Sequence, residues 1–278
     1  MHYHPESLIY ELAEVARQIR LDVLDMVYRR KAGHLGGSFS CAEILTALYF
    51  HHLKIDPTRP DWPERDRFLL SKGHAAAALY AALSRRGFFP VEDLDQWGQL
   101  GAHLQGHPDR LKTPGVDMSS GLLGHGLSIA VGLSLAQRAR PHFHTYVLMG
   151  EGCMQSGVMW EGALAASKYR ASELTVVMDY NDVQLDGATH DIMPLEPLVD
   201  KWRAFGFAVS EIDGHNLREV LEALDAALDT HSQPAVIVAR TTKGKGVTFM
   251  ENAAKWHGAV PTDEEYALAL AELRGYSA

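Results

Sequence analysis

The stretch that most constrains this chain is residues 145–189, TYVLMGEGCMQSGVMWEGALAASKYRASELTVVMDYNDVQLDGAT. An apolar run of strand length, 146–149, meets a glycine pair at Gly150 and Gly152 and passes into a pattern that buries one face of a helix. A second apolar run, 174–178, ends in Asp179, Tyr180, Asn181 and Asp182, so oxygen donors stand just past its carboxyl end. A helix joining two parallel strands sets both strand ends on one edge of the sheet, where open α/β sheets bind ligands. Gly152 lets backbone N–H groups approach a phosphate closely, while Glu151 and Asn181 offer a carboxylate and an amide oxygen to a hard divalent cation. A pyrophosphate carried on Mg²⁺ fits both. Strand-GxG-helix also opens a dinucleotide unit. Against that reading stand the late third glycine, Gly157, and the metal-type ligands on the second strand. A purely structural βαβ unit stays open as well.

The same alternation runs through the rest of the chain. Residues 7–31 read as a long amphipathic helix stopped by Gly33, with Leu8, Leu12, Val15, Ile19, Val23 and Val27 returning at helical spacing. The loop AGHLGGSFS, 32–40, precedes a helix over 41–52 and carries His34. A short strand, 67–70, closes on Ser71, Lys72, Gly73 and His74, which open an alanine-rich helix ending at Gly87. An imidazole N–H at such a helix start suits an anion, although a simple capping role stays open for His74. Residues 88–104 hold a further polar helix, and His103 and His107 follow in a segment where Gly106 and Pro108 argue against a helical metal pair. A glycine-rich loop, SSGLLGHGLSIAVG, feeds an apolar helix. Helix over 194–205, strand over 208–212, helix over 217–228, strand over 235–239 and a last helix over 262–274 complete the pattern.

This predicts a three-layer α/β/α fold with a mainly parallel sheet, formed as one domain over residues 1–278. A hydrophobic content of 46% suffices for a large core, and the formal charge of −9 without a basic stripe argues against a nucleic-acid or anionic-membrane partner. Two distant cysteines, Cys41 and Cys153, form no disulfide framework. They fit a reducing cytoplasm, as does an N-terminus without a signal peptide.

Taken together and in order, AGHLGGSFS, DRFLLSKGH, GHPD, SSGLLGHGLSIAVG, GEG…YNDVQLDG, DGHN, TTKGKG and WHG resemble the successive motifs of the N-terminal, diphosphate-binding half of the transketolase family. The resemblance covers nearly the whole chain and implies the thiamine-diphosphate-binding fold. It implies Mg²⁺ held by Glu151, Asn181 and the carbonyl of Val183, and thiamine diphosphate contacted by Gly152, His74 and His257 with Gly121 and Leu123 lining its site. It further implies that His34, His107 and His257 face the reacting carbons as neutral imidazoles titrating near the working pH. Glu161 would lie at the contact with the partner domain, and Lys243 is a weaker candidate.

Two departures from the family pattern matter. Glu151 stands where the family usually has Asp, one methylene shorter, which predicts retained metal binding with a shifted preference among Mg²⁺, Mn²⁺ and Ca²⁺. The chain also ends at Ala278, about where a transketolase would continue into its pyrimidine-binding domain. The expectation is therefore one subunit of a split, cytoplasmic transketolase, active with a separate C-terminal chain as an α₂β₂ assembly on a sugar or sugar phosphate. Pentose phosphates, sulfo-sugars and branched sugars such as apulose phosphate stay open as substrates. A dihydroxyacetone synthase, a deoxyxylulose-phosphate synthase or a non-catalytic thiamine-diphosphate scaffold are the competing readings.

Overall fold

The computed structural model describes residues 3–139 and 143–275, so the outer ends of the expected 1–278 domain lie outside the described residues. In chain order the elements are α1 (Glu6–Arg30), α2 (Leu35–Phe39), α3 (Ala42–Ala47), β1 (Arg67–Leu70), α4 (Ala76–Arg86), α5 (His125–Ala136), β2 (Thr145–Gly150), α6 (Glu151–Met154), α7 (Gly157–Lys168), β3 (Leu174–Tyr180), α8 (Thr189–Ile192), α9 (Leu198–Ala204), β4 (Ala208–Asp213), α10 (Leu217–Leu228), β5 (Ala235–Arg240) and α11 (Asp263–Leu273). The strands form one sheet in the order β1, β2, β3, β5, β4, with every pair parallel.

Side chains alternate across a strand, so β2 sends Tyr146 and Leu148 into a core with α1, α3, α4 and α10, and Val147 and Met149 into a second core with α5, α7 and α9. Helices therefore cover both faces, which is why the strands read as unbroken apolar runs. The three-layer expectation holds. Register does the rest of the positioning: Gly150 pairs with Asp179 and Tyr180 with Arg240, so the exits of β2, β3 and β5 stand level. Ser71 N donates to Leu148 O (2.8 Å) and Thr241 N to Tyr180 O (2.9 Å), which keeps the first residue of each exit loop on the ladder.

Several local expectations need correction. The glycine-rich 32–40 segment contains α2, whose five residues are all buried, because packing against the core outweighs the poor helix propensity of Gly36 and Gly37. The 41–52 helix is α-helical only to Ala47 and widens into a π-turn over Leu48–His52. The helix after Gly150 is two pieces, α6 and α7, broken at Gln155 and Ser156. Within 88–104 only a 3₁₀ turn forms, Val91–Gln96. The helix expected over 194–205 begins at Leu198, after Pro197. Both cysteines are buried and free, and among the described residues no helix is long and apolar enough to cross a membrane.

At the amino edge of the sheet, His144 Nε2 lies 2.8 Å from Thr175 Oγ1, and among the described residues buried His52 Nε2 has no hydrogen-bond partner and lies 3.6 Å from Asp225 Oδ1. Burial pushes both imidazoles from 6.5 down to about 4. Both stay neutral in the fold while an unfolded chain takes up protons near 6.5, so stability falls as pH drops from about 6.5 towards about 4. Each is expected to cost on the order of 3 kcal/mol by the bottom of that window. Denaturant titrations across it measure the slope. The His144→Gln variant should flatten it, and an unchanged slope would contradict the assignment.

Candidate active site

The level strand exits meet above the carboxyl edge of the sheet. From β1 come Lys72 and His74, from β2 Glu151 and Gly152, from β3 Asn181 and Val183, and from β5 Lys243, with His257 following in the same connection. Together with Gly37, Gly121 and Leu123 they line a cavity of about 360 Å³. A strand end supplies each group because a parallel ladder holds its last residue rigidly while the loop beyond is free to carry polar side chains.

Charge is arranged beneath and around this cavity by one buried pair. Asp179, the penultimate residue of β3, is fully buried, and its carboxylate accepts hydrogen bonds from Lys72 Nζ, Thr241 Oγ1 and, at 2.6 Å, Ser40 Oγ. Lys72 Nζ also donates to Gly37 O at 2.6 Å. Asp179 is thus committed to the protein interior and is not one of the oxygen donors available at the strand end. Glu151 is 4% exposed, and its Oε1 accepts from Asp182 N and, at 3.4 Å, from Thr189 Oγ1. Burial, then the nearby charge of Asp179, pushes the Glu151 carboxyl up to about 8. Lys243 Nζ donates to Val183 O (2.8 Å) and to His257 Nδ1 (2.9 Å), and burial followed by Lys72 lowers the Lys243 ammonium to about 8.

Three imidazoles pack at the mouth. The ring centroid of His34 lies 5.3 Å from those of His74 and of His257, and His74 and His257 stack at 5.1 Å. Burial dominates the titration of all three: it lowers His34, takes His74 well below its ordinary value, and with the charge on Lys243 takes His257 to about 4. All three are neutral near neutral pH, and His257, expected to titrate near the working pH, titrates well below it, as does His74. Because Lys243 Nζ donates to Nδ1 of His257, the ring proton of His257 sits on Nε2.

The family model described as "Transketolase, thiamine diphosphate binding domain" matches residues 12–277. The chain belongs to the transketolase family. Among transketolase relatives, the 6-deoxy-6-sulfo-D-fructose transketolase subunit of Clostridium sp. (strain MSTE9) is 45% identical over 95% of this chain and 96% of its own length. An apulose-4-phosphate transketolase subunit of Phocaeicola vulgatus is 41% identical, covering 91% of this chain and 90% of that one. The solved transketolase of Leishmania mexicana superposes with a TM-score of 0.89 at 33% identity, over 95% of this chain and 41% of that one. The chain therefore spans well under half of the solved transketolase that it matches.

Of the site residues expected from the transketolase resemblance, His74, Gly121, Leu123, Glu151, Gly152, Asn181, Val183 and His257 share the cavity. His34 joins through its ring contacts. His107 is exposed beside the mouth: a Cβ on Gly121, whose φ is +153°, would lie 3.3 Å from its ring, so glycine there brings the two loops together. Glu161 is exposed on α7 and is not among the lining residues. Lys72 and Asp179 escaped sequence reasoning as a pair. The lysine in SKGH was the available signal, since a lysine at the end of a buried strand demands an acid nearby.

Proposed function

We propose that this chain is the diphosphate-binding subunit of a split transketolase, transferring a two-carbon ketol unit from a ketose to an aldose together with a separate chain that carries the pyrimidine-binding half. The observation that carries this reading is the donor set of one cavity: nitrogen donors on Lys72, Lys243, His74 and His257, and hard oxygens on Glu151, Asn181 and Val183. The first group suits a diphosphate and the second a divalent cation. Among the described residues no cluster of three His, Cys, Asp or Glu side chains forms a metal cage. A cation here would be held by one carboxylate, one amide oxygen and one carbonyl of the protein, from Glu151, Asn181 and Val183. Mg²⁺ is the assigned ion, with Mn²⁺ and Ca²⁺ as alternatives.

When bound, thiamine diphosphate supplies a nucleophilic carbon and an electron sink for cleavage next to a carbonyl. The chain's own residues hold, orient and handle protons. Glu151, Asn181 and Val183 O hold the cation, while Lys72, Lys243 and His74 neutralise phosphate oxygens. His34, His107 and the Nε2–H of His257 offer imidazoles to substrate hydroxyls. Glu161, exposed on α7, is assigned to the contact with the partner chain. An α₂β₂ assembly and a cytoplasmic setting complete the proposal. The similar proteins named above act on a sulfonated ketose and on apulose-4-phosphate, so a ketose with an anionic far end is the substrate class assigned here.

The test is reconstitution. Ketol transfer is expected only when the chain is mixed with its partner and supplied with thiamine diphosphate and Mg²⁺. Comparable turnover by this chain alone would overturn the split assignment.

A further inference from the structure

Within the Asp213-Gly214-His215-Asn216 turn between β4 and α10, three of the four residues have plain local duties. Asn216 caps α10, accepting from Arg218 N (3.1 Å) and Glu219 N (3.5 Å), and Asp213 Oδ1 accepts from His215 N at 2.9 Å. A Cβ on Gly214 would meet Thr241 Cγ2 at 2.5 Å, so only glycine lets this turn press against the loop leaving β5. His215 is left over, and its ring is used at both nitrogens.

His215 Nε2 lies 2.8 Å from Thr242 N and Nδ1 lies 3.0 Å from Glu43 Oε2. A backbone N–H can only donate, so Nε2 is the acceptor and the ring is the neutral tautomer protonated on Nδ1, donating to Glu43. Glu43 is nearly buried and is itself fixed by Arg20 of α1 at 2.6 Å, whose guanidinium also donates to Phe39 O at 2.9 and 3.2 Å. Against the cost of burial, Arg20 and His215 hold the Glu43 carboxyl down at about 2, so it remains an acceptor across the physiological range. The relay runs from α1 and α3, on the covered side of the sheet, to one peptide group. That peptide group precedes Lys243.

We propose that His215 is a positioning residue: by holding the Thr242 amide it sets the backbone of Lys243, so that Nζ is held at His257 Nδ1 and meets the diphosphate end of the cofactor, releasing Val183 O to the cation. The inference rests on the cavity reading given above. Thr241 and Gly244 are tied separately, to Asp179 and to Gly36 O (3.1 Å), so losing His215 frees the peptide between two anchors without releasing the whole loop. The arrangement parallels the way a carboxylate fixes the tautomer of a functional imidazole, here aimed at a backbone amide.

Two measurements on the full chain test this. ¹⁵N spectra of the unsubstituted protein, which need no variant, should show His215 protonated on Nδ1 with an unprotonated Nε2; the opposite tautomer would overturn the proposal. Calorimetry with thiamine diphosphate and Mg²⁺ should show His215→Ala binding about tenfold more weakly, on the order of one hydrogen bond, because binding must then order the peptide that His215 no longer holds. His215→Gln, whose side-chain oxygen can accept from Thr242 N, should recover to within about threefold. Equal weakening of both variants, or none in either, would overturn the proposal. Absence of binding by the unsubstituted chain would instead sink the cavity reading and this inference with it.

Discussion

Replacing Asp179 by Ala is expected to destabilise the fold by about 3–5 kcal/mol, because it strands the Lys72 ammonium in the interior. Lys72 is 2% exposed and Asp179 fully buried, and the pair spans from the end of β1 to the end of β3. Lys72→Met should cost less, since Ser40 and Thr241 still donate to the remaining carboxylate. The double variant Lys72→Met with Asp179→Leu removes both charges and should recover most of the loss, as buried ion pairs exchanged for apolar residues of similar size commonly do. Urea unfolding of the parent, Lys72→Met, Asp179→Leu and the double variant forms a double-mutant cycle, with Asp179→Ala measured beside it. The same set separates stability from binding: Lys72 lines the cavity, so the double variant should fold well and still bind diphosphate poorly. An Asp179→Ala protein as stable as the parent would remove the pair from this account.

Glu151→Gln is expected to leave stability unchanged or slightly improved while weakening metal-dependent cofactor binding at least about 100-fold, roughly 2.7 kcal/mol. The carboxyl is buried and pushed up to about 8, first by burial and then by Asp179, so near neutral pH without a cation most of it is the neutral acid. The amide keeps the shape and the acceptor for Asp182 N, and avoids any cost of ionisation inside the protein. It cannot supply the charge that a divalent ion demands. Thermal unfolding checks the first half and calorimetry with Mg²⁺ the second. Unweakened binding by the Gln variant would place the ion elsewhere.

How much of this was legible beforehand depends on range. The parallel sheet and the cavity address followed from local signals, since unbroken apolar runs such as 174–178 and polar glycine loops at their ends reflect burial on both faces and a shared edge. The convergence of Glu151, Asn181 and His74 on one cavity followed from the same crossover rule. What stayed hidden depended on partners far apart in sequence. Asp179 reads as a strand-end oxygen donor until Lys72, 107 positions away, is seen to claim it. Gly36 and Gly37 disguise α2 because tertiary burial, not propensity, makes that helix. The acidity of His257 was misjudged for a related reason: type and spacing show that the imidazole is present, but only the packed site shows how far burial and Lys243 lower it.

The central claim is that one cavity grips a diphosphate through a shared cation. Its most direct test is isothermal calorimetry of the purified chain with thiamine diphosphate and with unphosphorylated thiamine, each with Mg²⁺ and with a chelator. Binding is predicted for thiamine diphosphate with Mg²⁺ and should collapse when either the diphosphate or the metal is withdrawn. Equal affinity for thiamine and its diphosphate, or diphosphate binding indifferent to the chelator, would contradict the account.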